Sequence, residues 1–179
     1  MNQTPPQPSV SRLPGFRAQP LVVGVLPETS PILIHAAEGL ALGLDAPRLC
    51  FAYVDPTRVL VEERPDGTVV HAPIDTDADD SAWLERRDAL TSHLRDQLAG
   101  TNVAWELHYL AGRPDRALTH LARAVDASMI VVGSRGPGWV EHVKESLEGS
   151  LTAHLTQHQH RPVVTVPLSV VDWKDAVVR

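Results

Sequence analysis

The chain alternates short, mostly aliphatic runs with longer segments of helical periodicity, and this alternation constrains its fold more than any other feature. Continuous apolar runs are typical of strands that are buried on both faces of a sheet. Parallel strands need a crossover, and the helices between the runs supply it. The predicted strands are Leu21–Val25, Leu49–Val54, Val103–Leu110, Met129–Val132 and Val163–Val166. The pattern predicts an α/β fold with an open, doubly wound, five-stranded parallel sheet of Rossmann-like type.

Helix signals separate these strands. Ser30 is a predicted N-cap and Pro31 a first helical residue, because a serine side chain accepts from a free N–H and proline lacks one. Further helices are predicted over Asp79–Ala99, from Pro114 onward and over Val143–Gln159. The predicted apolar stripes are Ile32, Ala36, Leu40 and Leu44 in the first helix, Leu118, Leu121, Ala122 and Val125 in the third, and Val143, Leu147, Leu151 and Leu155 in the last.

One segment interrupts the alternation. Val59–Glu62 and Val69–His71 flank a Pro-Asp-Gly turn, which predicts a β-hairpin inserted after the second strand, over about residues 58–73. The hairpin is interpreted either as a lid over a ligand or as an insertion without a functional role, and the second interpretation is slightly favoured. The predicted organisation is a disordered arm over 1–20, one α/β domain over 21–167 and a tail over 168–179.

Composition narrows the class of protein. The 179 residues are 43% hydrophobic with a formal net charge of −6, so a core is feasible and a general nucleic-acid-binding face is not expected. The proline- and glutamine-rich start is unlike a signal peptide, and no apolar run approaches the ~20 residues that span a bilayer. We therefore expect a cytoplasmic protein that does not bind membranes. Its lone cysteine, Cys50, is interpreted as a buried hydrophobic residue rather than a nucleophile.

Two glycine clusters lie between the fourth and the fifth predicted strands. Gly133 to Gly138 follow the fourth strand, and Gly149-Ser150 come shortly before the fifth. Glycine lets the main chain approach a ligand closely, and free N–H groups at a helix N-terminus attract anions. A phosphate or nucleotide pocket is one interpretation, and a pair of tight turns is the other.

These residues resemble the universal stress protein family. The resemblance rests on Val132-Gly133-Ser134-Arg135-Gly136, on Gly149-Ser150 and on the segment from His160 to Pro167, with support from Val23-Gly24-Val25 and Gly112-Arg113-Pro114. It covers most of the chain from Leu21 to Pro167. It implies a sheet like that of the adenine-nucleotide alpha hydrolases, an ATP cofactor with or without magnesium, and a homodimer through the last strand, Pro162 to Pro167.

The resemblance also implies the positions of the ligand contacts. Gly133 and Gly136 would face the ribose and a nearby phosphate, Gly149 and Ser150 the further phosphates, and the main chain around Tyr53 the adenine edge. The implied cofactor-binding residues are Tyr53, Gly133, Ser134, Arg135, Gly136, Gly149, Ser150 and Leu151. Arg135 is either a phosphate partner or a solvated loop residue.

Two departures from the family pattern bear on this ligand. Twelve residues separate Gly136 from Gly149 where the nucleotide-binding members have nine, and Leu26 stands where they usually carry an acidic residue. A longer loop costs little, whereas leucine removes a hydrogen-bond acceptor. Glu28 could replace it.

Other candidate sites are weaker. His154 and His158 have the spacing of a metal-binding pair, but a polar helix face explains them better. The acidic run at 75–80 resembles a helix start more than a calcium loop. No arrangement of a nucleophile with a general base stands out, so no catalytic residue is predicted.

The sequence thus favours a regulatory universal stress protein-like module that binds ATP or a related adenine nucleotide as a homodimer. The alternative is a dimeric interaction scaffold of the same fold without a nucleotide. A slow hydrolase of nucleotides or phosphoesters is a less favoured third hypothesis.

Overall fold

A computed structural model describes residues 9–77, 79–134 and 148–169 of the chain; for 148–150 it describes the main chain alone. Five parallel strands form one sheet in the order β5-β2-β1-β6-β7, which confirms the predicted doubly wound architecture. The strands are β1 (Leu21–Gly24), β2 (Arg48–Asp55), β5 (Ala104–Ala111), β6 (Met129–Ser134) and β7 (Val163–Pro167). The hairpin strands are β3 (Arg58–Glu63) and β4 (Val69–Pro73).

Helices cover both faces of the sheet. They are α1 (Pro31–Gly43), α2 (Ala82–Gln97), α3 (Pro114–Ala124) and α4 (Glu148–His158). Buried residues of α1 and α2 share one apolar cluster with the alternate strand residues Val23, Phe51 and Val131. Buried residues of α3 and α4 share the other cluster with Val22, Cys50 and Ile130. Within the described residues, no helix is long and apolar enough to cross a membrane.

The first helix begins as predicted but buries a different stripe. The Ser30 side chain accepts from the N–H of Ile32, and Pro31 is the first helical residue. The fully buried side chains are Leu33, Ile34, Ala37 and Ala41, whereas Ile32 is 54% exposed. The helix is apolar on nearly every side, so periodicity alone does not select the buried face.

The predicted hairpin is present and crosses the outer side of β5. Its tip packs on α3, where Gly67 has a φ of +86° and lies against Leu121. Its base lies beside α2, where the rings of His71 and Trp83 meet edge to face. Both hairpin strands contact β5. The hairpin therefore covers the edge strand at one side of the sheet.

The segment before β1 is partly attached to the domain. Residues 10–12 form a single 3-10 turn, and the N–H of Ala18 donates to the carbonyl of Leu44. Arg17 pairs with Asp45 in the same region. Residues 1–8, and 170–179 of the predicted tail, lie outside the described residues.

Candidate functional site

The strand order reverses between β1 and β6, and this is where a doubly wound sheet opens a ligand crevice. From β1 the chain proceeds through α1 to β2 and then outward to β5. After α3 it returns to the other side of β1 as β6, and α4 leads on to β7. The carboxyl ends of β1 and β6 therefore separate here, and the described residues at these two ends form the walls of the candidate site.

The β1 wall begins with a closed turn. The N–H of Leu26 donates to Oγ1 of Thr29 over 2.8 Å, and that hydroxyl donates to the carbonyl of Leu26 over 2.6 Å. Both main-chain polar groups of Leu26 are therefore occupied within the chain. The Leu26 side chain is 38% exposed, and Glu28 is exposed on the same turn.

The β6 wall ends at Gly133 and Ser134. The carbonyl of Ser134 accepts from the N–H of Leu168, and the Leu168 side chain lies over Gly133. A methyl group added at Gly133 would lie 2.5 Å from Cδ1 and 3.0 Å from Cγ of Leu168. Packing against Leu168 thus accounts for a glycine at this position. Arg135 and Gly136 lie outside the described residues.

The second glycine cluster lies in α4. Gly149 and Ser150 follow Glu148, the first described residue of that helix. Leu151 comes next, and its side chain packs into the cluster under α3 and α4, so only its main chain is left for a ligand.

Tyr53 lies inside the sheet. Its side chain is 6% exposed, and its ring meets that of Tyr109 at a centroid distance of 5.2 Å. The N–H of Val25 donates to the carbonyl of Ala52, so the alternate β2 residues Ala52 and Val54 turn their main chain toward β1. The next donor in that ladder would be Pro27, which has no N–H. The carbonyl next to Tyr53 that faces the crevice is therefore that of Val54.

A buried carboxylate lies at the carboxyl end of β2, which the sequence analysis did not single out. Asp55 is 1% exposed, and its Oδ1 accepts from the N–H and the hydroxyl of Thr57 over 2.8 and 2.7 Å. Its Oδ2 accepts from Arg86 over 3.0 Å and from the phenol of Tyr109. Arg86 also donates to the Tyr109 oxygen over 3.2 Å. These donors fully occupy the carboxylate.

The network fixes the charge states of its members. Burial acts to raise the pKa of Asp55, but the hydrogen bonds from Thr57, Tyr109 and Arg86 outweigh it and lower that pKa. Burial and the neighbouring carboxylate raise the pKa of Tyr109. Asp55 is therefore ionised and Tyr109 neutral at physiological pH. A fixed carboxylate of this kind positions its neighbours and has no free oxygen for a reacting group.

A second buried group holds the base of the hairpin. The Arg58 side chain is 3% exposed; it donates to Nδ1 of His71 and pairs with Asp80 over 2.6 Å. Its guanidinium also lies 5.7 Å from the ring centroid of Trp83. Burial, and then the charge of Arg58, lower the pKa of His71. A neutral imidazole is required because its Nδ1 accepts a hydrogen bond.

Gly112 and Arg113 follow the carboxyl end of β5, the edge strand, away from the point where the strand order reverses. They line a cleft of about 490 Å³ between β3 and the start of α3, together with Glu62, Glu63 and Arg116. Arg113 pairs with Asp115 over 2.8 Å. The acidic run behaves as a helix start, since Asp79 accepts from the N–H of Ser81 just before α2.

Known proteins share this architecture. The model of the universal stress protein family matches residues 18–167. A universal stress protein in complex with cAMP is 21% identical with a TM-score of 0.57, covering 86% of this chain and 99% of its own. No curated protein matches the chain in sequence.

Two further structures share the fold at lower identity. The universal stress protein from Archaeoglobus fulgidus in complex with dAMP is 17% identical with a TM-score of 0.52, covering 83% of this chain and 97% of its own. A universal stress protein family protein from Arabidopsis thaliana with AMP bound is 17% identical with a TM-score of 0.51, covering 85% and 93%. Because the family model spans most of the chain, the protein belongs to the universal stress protein family.

Proposed function

We propose that the protein is a regulatory module that binds an adenine nucleotide in the crevice between β1 and β6. The observation that carries the proposal is that structures of the same fold and family contain cAMP, dAMP and AMP. ATP, with or without magnesium, is the first ligand to test, and the proposed setting is a cytoplasmic stress response. Occupancy would act by favouring one state of the protein, which requires different nucleotide affinities in its two states.

The proposed contacts are mainly with the main chain. The main-chain N–H groups of Gly149 and Ser150 would hold phosphate oxygens. The carbonyl of Val54 would accept from the adenine amino group, because Pro27 leaves it without a donor from β1. No general base is assigned, so we expect binding without rapid turnover.

Leu26 gives the proposal a sharp test. An aspartate at this position would add a charged acceptor at the mouth of the crevice, and hydrogen bonds to charged groups contribute about 1.5–3 kcal/mol. We expect Leu26→Asp to tighten adenine-nucleotide binding about ten-fold or more in isothermal titration with ATP, AMP and cAMP. Leu26→Asn, which adds an uncharged acceptor, is the matched control and should gain less.

Gly136→Val tests the glycine cluster directly. The variant should lose nucleotide affinity while keeping a melting temperature close to that of the wild type. Gly39→Ala, at a helical glycine with open space around it, should change neither quantity much. A wild-type protein that shows no binding heat and no thermal shift at millimolar nucleotide would remove the proposed function.

An interaction scaffold without a ligand is the second candidate, and Leu168 favours it. Its side chain lies over Gly133, so that glycine has a packing role that needs no nucleotide. Leu26 also favours the scaffold, because its side chain offers no charged acceptor to a nucleotide. The titrations above separate the candidates, because a scaffold binds neither ATP nor AMP before or after Leu26→Asp.

We also propose a homodimer through the free edge of β7. Pro162 and Leu168 bond to β6, so the alternate residues Val163 and Thr165 turn their N–H groups to the outer edge. Thr165→Pro removes one of these donors and should yield a monomer in light scattering at micromolar concentration. Thr165→Val keeps the N–H and should remain dimeric. A monomeric wild type would contradict the proposal.

A further inference from the structure

A cysteine, a glutamate and a histidine lie together on the face of the sheet that α3 and α4 cover. Cys50 in β2 is directly opposite Glu106 in β5, and His108 follows two residues later on the same face. The cysteine sulfur, a carboxylate oxygen and an imidazole nitrogen all lie within 4.8 Å of one another. Cys50 and Glu106 are 56 positions apart in the chain, so the sheet register alone brings them together.

The distances match those between ligands of one metal ion. Sγ of Cys50 lies 3.3 Å from Oε1 of Glu106, and Nε2 of His108 lies 3.2 Å from the same oxygen. Tetrahedral zinc with bonds of about 2.3 Å to sulfur and about 2.0–2.1 Å to nitrogen and oxygen places its ligand atoms roughly 3.3–3.5 Å apart. Two of the three separations, 3.3 and 3.2 Å, are close to this range.

The histidine supplies a second, independent observation. Its side chain is only 10% exposed, and among the described residues its buried Nε2 has no aligned hydrogen-bond partner. The contact with Glu106 is close but does not have hydrogen-bond geometry. Leaving a buried polar atom unsatisfied costs free energy, and such atoms are rare in folded proteins. Here the unsatisfied atom is a nitrogen with the chemistry of a metal ligand, and it lies against a carboxylate and a thiol.

We propose that Cys50, Glu106 and His108 form a zinc-binding site that joins β2 to β5, with water in the fourth position. A set of one sulfur, one nitrogen and one oxygen suits zinc, which accepts all three, and three protein ligands leave one position open. Binding forms the zinc–sulfur bond and releases the thiol proton to solvent. The thiolate and the carboxylate together balance the charge of the ion.

Arg48 is the competitor for this site. Its Nε lies 3.0 Å from Oε1 of Glu106, the oxygen that the metal would bind. The Arg48 side chain is 44% exposed and can turn into solvent when the ion enters. Because binding releases the thiol proton of Cys50, the affinity for zinc should increase with pH.

Cobalt titration of the reduced full-length chain, stripped of metal beforehand, tests the proposal. A thiolate-to-cobalt charge-transfer band in the near ultraviolet should appear, saturate at one equivalent and disappear when zinc is added. Because Cys50 is the single cysteine of the chain, this band would show that the metal binds the Cys50 thiolate. Zinc should also raise the melting temperature, because it binds the folded state.

Variants assign the other ligands. Cys50→Ser should abolish the band, and His108→Ala should weaken cobalt binding at least about ten-fold. Arg48→Gln should strengthen it. The control is the double variant His154→Ala/His158→Ala. It removes two histidines on α4 whose ring centroids lie 6.0 Å apart, and it should keep the band.

Two results would overturn the proposal. One is the absence of a charge-transfer band in the wild type at equimolar cobalt. The other is a zinc-induced melting shift that persists in Cys50→Ser and is lost in the His154/His158 double variant, which would place the metal on α4. Neither result depends on nucleotide binding, so the zinc site and the proposed function fail separately.

Discussion

The phenol of Tyr109 donates to the carboxylate of Asp55 across the β2–β5 pair, although their sequence positions are 54 residues apart. Arg86 reaches the same oxygen from α2. One buried charge thus joins a strand end, the neighbouring strand and a helix. This arrangement fixes the chain where β2 ends and the hairpin begins.

Asp55→Asn should destabilise the fold. The substitution removes the charge that Arg86 and Tyr109 are arranged around, and hydrogen bonds to a buried charge contribute roughly 1.5–3 kcal/mol. We expect a loss of about 2–3 kcal/mol in urea unfolding at pH 7. Because the folded-state pKa of Asp55 lies below 3.8, its contribution is complete above that pH and is lost as the pH falls through the lower value.

The matched control for this variant is Asp66→Asn. Asp66 accepts from the N–H and the hydroxyl of Thr68 over 2.9 and 2.7 Å, as Asp55 does from Thr57, but it is exposed. If both variants lose the same stability, the contacts with Arg86 and Tyr109 contribute nothing and the interpretation is wrong.

Acidification should loosen the hairpin through His71. Burial and the Arg58 charge lower its pKa from the ordinary 6.5, while Asp55 and Asp80 partly offset them. The unfolded chain therefore takes up this proton first, so stability is constant above pH 6.5 and falls as the pH decreases below it. Urea unfolding at pH 7.5 and 5.5 should show this slope in the wild type and a smaller one in His71→Gln. His35→Gln, at an exposed position, should keep the wild-type slope.

Gly133→Ala should destabilise the protein by about 1–3 kcal/mol, because the added methyl overlaps the Leu168 side chain. The double variant Gly133→Ala/Leu168→Ala should recover part of that loss relative to Leu168→Ala alone. Thermal unfolding of the four proteins measures the coupling. Purely additive effects would show that Leu168 does not determine the glycine.

Gly67→Ala tests how the hairpin tip docks. Its φ of +86° disfavours any side chain, and the new methyl would lie 2.7 Å from Cδ1 of Leu121. We expect a loss of about 2 kcal/mol from the left-handed conformation and the contact. Gly43→Ala, at the end of α1 with open space around it, should be neutral or slightly stabilising. Urea unfolding of the two variants measures this loss.

The central strands β1, β2 and β6 could be predicted from the sequence because they are buried on both faces and read as apolar runs, whereas the edge strands β5 and β7 are only partly buried. The buried face of the third helix could also be predicted from the sequence. Leu118, Leu121 and Ala122 are apolar residues among polar neighbours, and they are buried as predicted. The buried face of α1 could not be predicted. Ile32 and Leu33 are equally apolar, and only the position of the sheet determines which of them is buried.

The polar networks could not be predicted in the same way. Asp55 and its partners Arg86 and Tyr109 come from three different elements, and no spacing in the sequence connects them. The register of β2 against β5 likewise brings Cys50 and His108 close, and no local pattern encodes that register. Gly133 was singled out in the sequence as part of a glycine cluster. Its contact with Leu168 could not be predicted, because it depends on the pairing of β7 with β6.

The hairpin that crosses β5 also limits how the protein can assemble. It covers one border of the sheet with the chain's own residues, so within the described residues strand addition is left to β7 at the opposite border. In a pair of copies related by a twofold axis, the β7 border of one copy would pair with the β7 border of the other. No border would then be left for a third copy. A filament needs two open borders per subunit, and the hairpin removes one of them.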